Sequence, residues 1–180
     1  MALLAVAGAA GAAGRTIPWT RLPGLQTGTA PWKSGAAGLT GRLKLIRLNP
    51  LPSEGTVLHI HQHLDLYVNG KQVTLPAYVG INYAQQYITE LHTHDNSGVI
   101  HVESPVQKTF VLGQLFGAWG VKLTQSCVGR YCGHLQWWVN GVRHTGDPAQ
   151  LVLRSHQEIA IAEGPPPLVV PKSYAFPAGY

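Results

Sequence analysis

Alternation of polar and apolar residues in VLHIHQHLDLYVNG (57–70) constrains the fold of this chain more than any other feature. One parity carries Leu58, Ile60, Leu64, Leu66 and Val68. The other carries His59, His61, His63, Asp65 and Tyr67. A period of two is typical of a half-buried β-strand. Asn69-Gly70 predicts a two-residue hairpin turn, because both central residues of a type I′ turn need positive φ.

Three further stretches extend this pattern. LQWWVNGVRHTG (135–146) predicts a second hairpin, and VIHVES (99–104) predicts a strand. TFVLGQLFGAWG (109–120) has apolar residues spaced for a short amphipathic helix. GRLKLIRLNPLP (41–52) alternates at Leu43 and Leu45, which predicts a first strand. We therefore expect one mainly β or α+β domain, built from antiparallel hairpins with one short amphipathic helix.

Composition divides the chain around that domain. We expect a truncated signal or anchor segment at 1–14, a Pro/Gly/Trp-rich arm at 15–39, a His-rich β domain at 40–164 and a Pro-rich C-terminal strap at 165–180. The first segment is apolar but too short to span a bilayer, and it lacks a basic leader. A translation start upstream of Met1 would supply the missing basic leader of a signal peptide. The alternative is that this segment is a flexible Ala/Gly tail. The favoured expectation is an extracytoplasmic protein, either secreted, periplasmic or anchored at a membrane surface.

Charge argues against a nucleic-acid partner. The net charge is +5, but the first 50 residues hold six basic residues and no acidic one. The remaining residues hold seven basic and eight acidic residues. A nucleic-acid binder would carry its positive charge on the folded domain. The balance of the domain therefore predicts no nucleic-acid binding.

Two cysteines, Cys127 and Cys132, frame CVGRYC. In an exported protein, two nearby cysteines usually form a disulfide. A thiolate metal site is the alternative, but the chain has no second cysteine pair to complete it. We therefore predict a disulfide.

Six of the nine histidines lie in two clusters, in HIHQH and in LHTHDNSGVIH. The candidate metal ligands are His59, His61, His63, His92, His94 and His101. Residues i and i+2 of a strand share a face and lie roughly 6.6 Å apart, so two such imidazoles can lean towards one ion. The two ends of the first cluster are roughly 13 Å apart on a regular strand. We therefore expect one pair from each cluster to share an ion, or two neighbouring ions.

Three carboxylates accompany these histidines and could be ligands or could fix their tautomers: Asp65, Asp95 and Glu103. Several imidazoles facing one another suit copper or zinc. Met1 is the only methionine, which argues against a blue-copper site, and calcium prefers oxygen ligands. The alternatives are a hydrogen-bonded polar face and a pH sensor. His134, His144 and His156 receive no role.

Four motifs together resemble those of an uncharacterised family of exported bacterial and archaeal proteins. They are HIHQHLDLYVNG (59–70), LHTHDNSGVIHVESP (91–105), FVLGQLFGAWG (110–120) and VNGVRHTGDP (139–148). The resemblance covers residues 57–164. It implies a common domain, often behind an N-terminal membrane anchor, and it implies no activity.

The sequence favours a metal-binding protein that uses a copper or zinc ion. One alternative is a metal-dependent enzyme, hydrolytic or redox, with Asp95 or Glu103 as the base. Another alternative is a non-catalytic subunit of a surface or membrane assembly, in contact with the membrane or other proteins through residues 1–39 and 165–180.

Overall fold

The computed structural model describes residues 16–180, so the expected signal segment at 1–14 lies outside the described residues. Two α-helices, α1 (Ala36–Ile46) and α2 (Leu112–Trp119), accompany a mainly β structure. Three short 3-10 helices lie at Trp19–Arg21, Tyr83–Gln85 and Pro148–Gln150. None of the helices in this described part is long and apolar enough to cross a membrane.

The strands fall into one large sheet and two small ones. In chain order they are β1 (Pro50–Leu51), β2 (Leu58–Val68), β3 (Lys71–Val73), β4 (Ile81–Asn82), β5 (Tyr87–Thr89), β6 (Leu91–His92), β7 (Val99–Ser104), β8 (Cys127–Val128), β9 (Tyr131–Cys132), β10 (Leu135–Val139), β11 (Val142–His144) and β12 (Glu158–Glu163). The large sheet has the order β11-β10-β12-β2-β7-β6, with β3 also paired to β2. Its pairs are antiparallel except β12 with β2, which is parallel.

Both predicted hairpins are confirmed. Asn69 and Gly70 have φ of 51° and 74°, and Asn140 and Gly141 have φ of 52° and 76°. Positive φ at both central positions is the geometry that a type I′ turn requires. Asparagine tolerates this region better than most residues, and glycine enters it without steric cost.

One face of the large sheet packs on the helices and forms the main core. Leu64 and Leu66 of β2 point into it, as do Ile100 and Val102 of β7. Every residue of α2 is buried, so the predicted helix is confirmed as a core element. The alternate residues of these strands point to the other face of the sheet. They include histidines, carboxylates and small apolar residues, and we call this face the histidine face.

The prediction of a strand at 41–52 is wrong, because Ala36–Ile46 form α1 and only Pro50–Leu51 pair as β1. Leu39, Leu43 and Ile46 are buried at helical spacing, which outweighs the two-residue alternation of Leu43 and Leu45. Arg47 ends the helix with φ of 58°. Residues 16–180 thus contain two α-helices where one was expected.

The segment 16–35 lies on the domain and is anchored to the main core by three side chains, while most of its other residues are exposed or half-buried. Ile17, Leu22 and Trp32 are buried there. Arg42 is fully buried and donates hydrogen bonds to backbone carbonyl oxygens of this segment and of α2, including those of Gly35 and Gly117. These contacts hold the segment against its own domain, and a partner along it stays a prediction.

The predicted disulfide between Cys127 and Cys132 is confirmed. The two cysteines are direct partners across the small hairpin of β8 and β9.

Candidate metal centre

Strand pairing brings the two histidine clusters into one row. His61 of β2 lies opposite His101 of β7, and His101 lies opposite His92 of β6. His59 lies opposite Glu103 in the next row of the same face. These residues lie far apart in the chain, so their meeting is a product of the antiparallel register.

Four side chains at the β6 edge can hold one ion. His92, His94, His101 and Glu103 each offer one donor atom, and the four atoms lie within 4.8 Å of one another. Nε2 of His92 is 3.2 Å from Nε2 of His94 and 3.7 Å from Oε2 of Glu103. A tetrahedron with zinc–nitrogen bonds of about 2.0–2.1 Å has edges of about 3.3–3.4 Å. The donor atoms are therefore close to the spacing that a tetrahedral ion requires.

Outer hydrogen bonds orient two of these imidazoles. Nδ1 of His92 donates to the carbonyl oxygen of Thr89 at 2.9 Å, so Nε2 of that ring carries a lone pair, which can accept from His94 or bind an ion. Nδ1 of His101 donates to Oε1 of Glu103 at 3.0 Å, which leaves the Nε2 lone pair of that ring free. Metal-binding histidines characteristically hold their second nitrogen in this way.

The second oxygen of Glu103 is buried without a partner. Oε2 has no hydrogen bond among the described residues, although the residue is only 2% exposed. The Nε2 proton of His94 can serve only one acceptor, either His92 or Oε1 of Glu54 at 3.2 Å. An unsatisfied buried carboxylate oxygen is costly unless a donor or a cation reaches it.

Burial keeps two of the histidines neutral. Desolvation lowers the pKa of His92 to about 3 and that of His61 to about 4, and repulsion from His101 adds to both shifts. Burial alone would raise the pKa of Glu103, but its hydrogen bond from His101 and the nearby histidines lower it overall. Neutral imidazoles around an ionised carboxylate are the protonation states that metal binding needs.

A second group, His59, His61 and Glu103, adjoins the first. Nε2 of His59 is 3.3 Å from Oε1 of Glu103. The ring of His61 lies 4.6 Å from that of His101, centroid to centroid. The two groups therefore share Glu103.

His63 belongs to a third group, with Asp65 and Glu158. Its Nδ1 lies 2.8 Å from Oε2 of Glu158, and its Nε2 lies 2.9 Å from the carbonyl oxygen of Ser97. Burial opposes protonation of His63, but the hydrogen bond and charge of Glu158, with further help from Ser97 and Asp65, raise its pKa overall. Since both nitrogens face acceptors, this histidine serves best as a buried imidazolium that pairs with a carboxylate.

Asp95 stands apart from the three groups. It is exposed, and its Oδ1 accepts a hydrogen bond from the backbone of Ser97. It stabilises the turn between β6 and β7, and Gly98 completes that turn with φ of 91°. A Cβ at Gly98 would lie 2.7 Å from Nε2 of His63, so glycine lets the turn pass close to the histidine face.

Sequence reasoning missed the residues that reach this face from elsewhere in the chain. Glu158 arrives through the parallel pairing of β12 with β2. Tyr174 stacks on His63 with centroids 3.9 Å apart, and Tyr180 lies 4.5 Å from His61. The strap (165–180) thus covers the part of the histidine face around His61 and His63. Nothing in the local pattern of these residues signals such contacts.

A cavity of about 680 Å³ opens beside the first group. His94 and Glu54 lie on its wall, together with apolar and aromatic side chains such as Tyr83 and Ile88. His94 is the residue of this group that a molecule in the cavity would meet.

Comparison of the chain with models of protein families, with curated proteins and with solved structures finds no match.

Proposed function

We propose that this protein binds a transition-metal ion, zinc or copper, through His92, His94, His101 and Glu103. Three nitrogen donors and one carboxylate suit either ion. No cysteine thiolate is free for the site, because both cysteines of the chain are joined in the disulfide.

The orphaned Oε2 of Glu103 is the observation that carries this proposal. It lies 3.7 Å from the Nε2 lone pair of His92, and both atoms are buried. A hydrogen-bonded polar face would supply a donor to this carboxylate oxygen, and none of the described residues does so. A metal ion satisfies both atoms, and its charge compensates the buried carboxylate.

The proposed location is outside the cytoplasm. The disulfide between Cys127 and Cys132 supports it, because disulfides persist in oxidising compartments. The resemblance of the histidine motifs to exported proteins agrees with this location.

The cavity beside His94 favours a second candidate function, that of a metal-dependent enzyme. An ion held by protein ligands at the wall of a cavity can polarise a bound molecule or activate water. Glu54, with its carboxylate 3.2 Å from His94, is the exposed acid at that wall.

Calorimetric titration of zinc and of copper into chelator-treated protein, purified without a histidine tag, tests the proposal. We expect saturable binding in the wild type and at least about tenfold weaker binding in His94→Ala. His94 is partly exposed, so this variant should still fold. His144 stacks on Trp137 at the far edge of the sheet, and His144→Ala is the matched control with unchanged binding. Absence of binding in the wild type would refute a metal site.

A further inference from the structure

We infer that the histidine face holds two metal ions, bridged by Glu103, with His59 and His61 as the other protein ligands of the second ion. The inference rests on the proposed function, because the first ion is the one held by His92, His94 and His101.

Register places the second pair of histidines beside the first group. His59 and Glu103 are direct cross-strand partners, and so are His61 and His101. Side chains of such partners lie about 4.5–5.5 Å apart at Cβ. The ligands of the two ions therefore form one continuous surface across β2, β7 and β6.

The two oxygens of Glu103 face different histidines. Oε1 accepts from Nδ1 of His101 and lies 3.3 Å from Nε2 of His59, whereas Oε2 lies 3.7 Å from Nε2 of His92. The first distance equals the edge of about 3.3 Å expected between two ligands of one tetrahedral ion. A carboxylate with one oxygen in each group is a bridging ligand, and two-metal centres hold their ions about 3.5–4 Å apart.

Solvent access makes the two positions unequal. The first group is mostly buried, and His92 has no exposed surface. The side chain of His59 is 48% exposed, and Tyr180 beside His61 is also open to solvent. The second ion has three protein ligands, so water can complete its coordination. We therefore expect it to bind more weakly than the first.

The third group does not compete for this ion. Both ring nitrogens of His63 are already held, one by Glu158 and one by Ser97. A ligand nitrogen must turn a lone pair to the ion, and each ring nitrogen of His63 is already turned to an acceptor oxygen. Two ions, and not three, follow from these contacts.

Metal content after equilibrium dialysis against zinc measures the stoichiometry directly, using the full chain stripped with chelator. The expected content is two zinc ions per chain in the wild type and one in His59→Ala and in His61→Gln. His59 is exposed, so His59→Ala should fold even if the change at buried His61 disturbs the structure. Glu158→Gln is the control for the third group and should keep two ions.

Electron paramagnetic resonance of the copper-loaded protein tests the bridge. Two Cu²⁺ ions joined by Glu103 should show a magnetically coupled signal, and His59→Ala should show that of a single isolated ion. One ion in the wild type would overturn the second site but leave the proposed function intact, whereas no ion would overturn both. Two ions that persist in both His59→Ala and His61→Gln would contradict the placement. Two uncoupled copper signals would contradict the bridge.

Discussion

Glu103 is the residue on which the histidine face depends. It is almost fully buried, yet its pKa is lowered, because His101 donates to it and further histidines surround it. The same carboxylate belongs to both groups that could hold an ion at this end of the sheet. Its charge, and not its shape alone, therefore matters to the site.

Glu103→Gln should weaken metal binding by at least about tenfold, since the amide keeps the shape but cannot supply a charged ligand. The metal-free protein should remain folded, because an amide oxygen can still accept from His101. Titration of zinc, with circular dichroism to confirm folding, checks both points. A folded variant that binds zinc as tightly as the wild type would contradict the role of Glu103.

Replacement of His63 should have the opposite effect, because it should lower the stability of the fold and leave metal affinity unchanged. His63→Ala leaves the Glu158 carboxylate buried without its partner, and loss of one member of a buried pair typically costs about 3–5 kcal/mol. The affinity for zinc should not change, because His63 lies outside the proposed site. Urea unfolding and zinc titration of the same variant separate these effects. A loss of metal affinity without a loss of stability would show that His63 is a ligand.

At the scale of elements, the strap is the segment that lies over part of the histidine face. Tyr174 and Tyr180 lie over His63 and His61, and Phe176 contacts His156. Nε2 of His156 lies 3.0 Å from the backbone oxygen of Tyr180, which fixes this part of the strap. His156, assigned no role from sequence, thus holds the cover of the site in place.

Tyr180→Ala should speed the release of bound metal, because it uncovers the His61 side of the site. We expect faster transfer of zinc to a chromogenic chelator, with little change in protein stability. Leu168→Ala is the control, since Leu168 lies in the same strap and is fully exposed. Equal release rates in the two variants would show that the strap does not cover the ion.

Local patterns predicted the hairpins, α2 and the shared face of His59 and His61, because each is encoded within a few neighbouring residues. The parallel pairing of β12 with β2 was not predictable in this way. It joins segments far apart in the sequence, and it alone brings Glu158 to His63. Helix α1 was not predictable from the two-residue alternation of Leu43 and Leu45, because the helical repeat that buries Leu39, Leu43 and Ile46 begins upstream of it.

For the whole molecule, the buried histidines set the response to acid. His92 and His61 have folded-state pKa values of about 3 and about 4, below the unfolded value of about 6.5. Below pH 6.5 the unfolded chain takes up protons that the folded protein refuses, so stability falls with acid. His63 acts in the opposite sense, because its raised pKa stabilises the fold at low pH and that contribution is lost as pH rises.

The lowered pKa values of His92 and His61 together affect stability more than the raised pKa of His63. The metal-free protein should therefore be less stable at pH 5 than at pH 7.5. Each lowered pKa contributes roughly 2 kcal/mol of this loss at pH 5, since one pKa unit corresponds to about 1.4 kcal/mol. Urea unfolding at the two pH values measures it. His61→Gln should reduce the difference, and an equal or greater stability at pH 5 in the wild type would contradict the burial of neutral imidazoles.

Thermal melting of the chelator-treated protein at pH 7.5, with and without added zinc or copper, tests the metal site most directly. An ion that binds only the folded state, at a hundredfold excess over its dissociation constant, stabilises it by about 2.7 kcal/mol. For a chain of this size we therefore predict that one of the two metals raises Tm by roughly 5–10 °C. The rise should shrink in His94→Ala and persist in His144→Ala. A Tm that responds to neither zinc nor copper in the wild type would contradict the account.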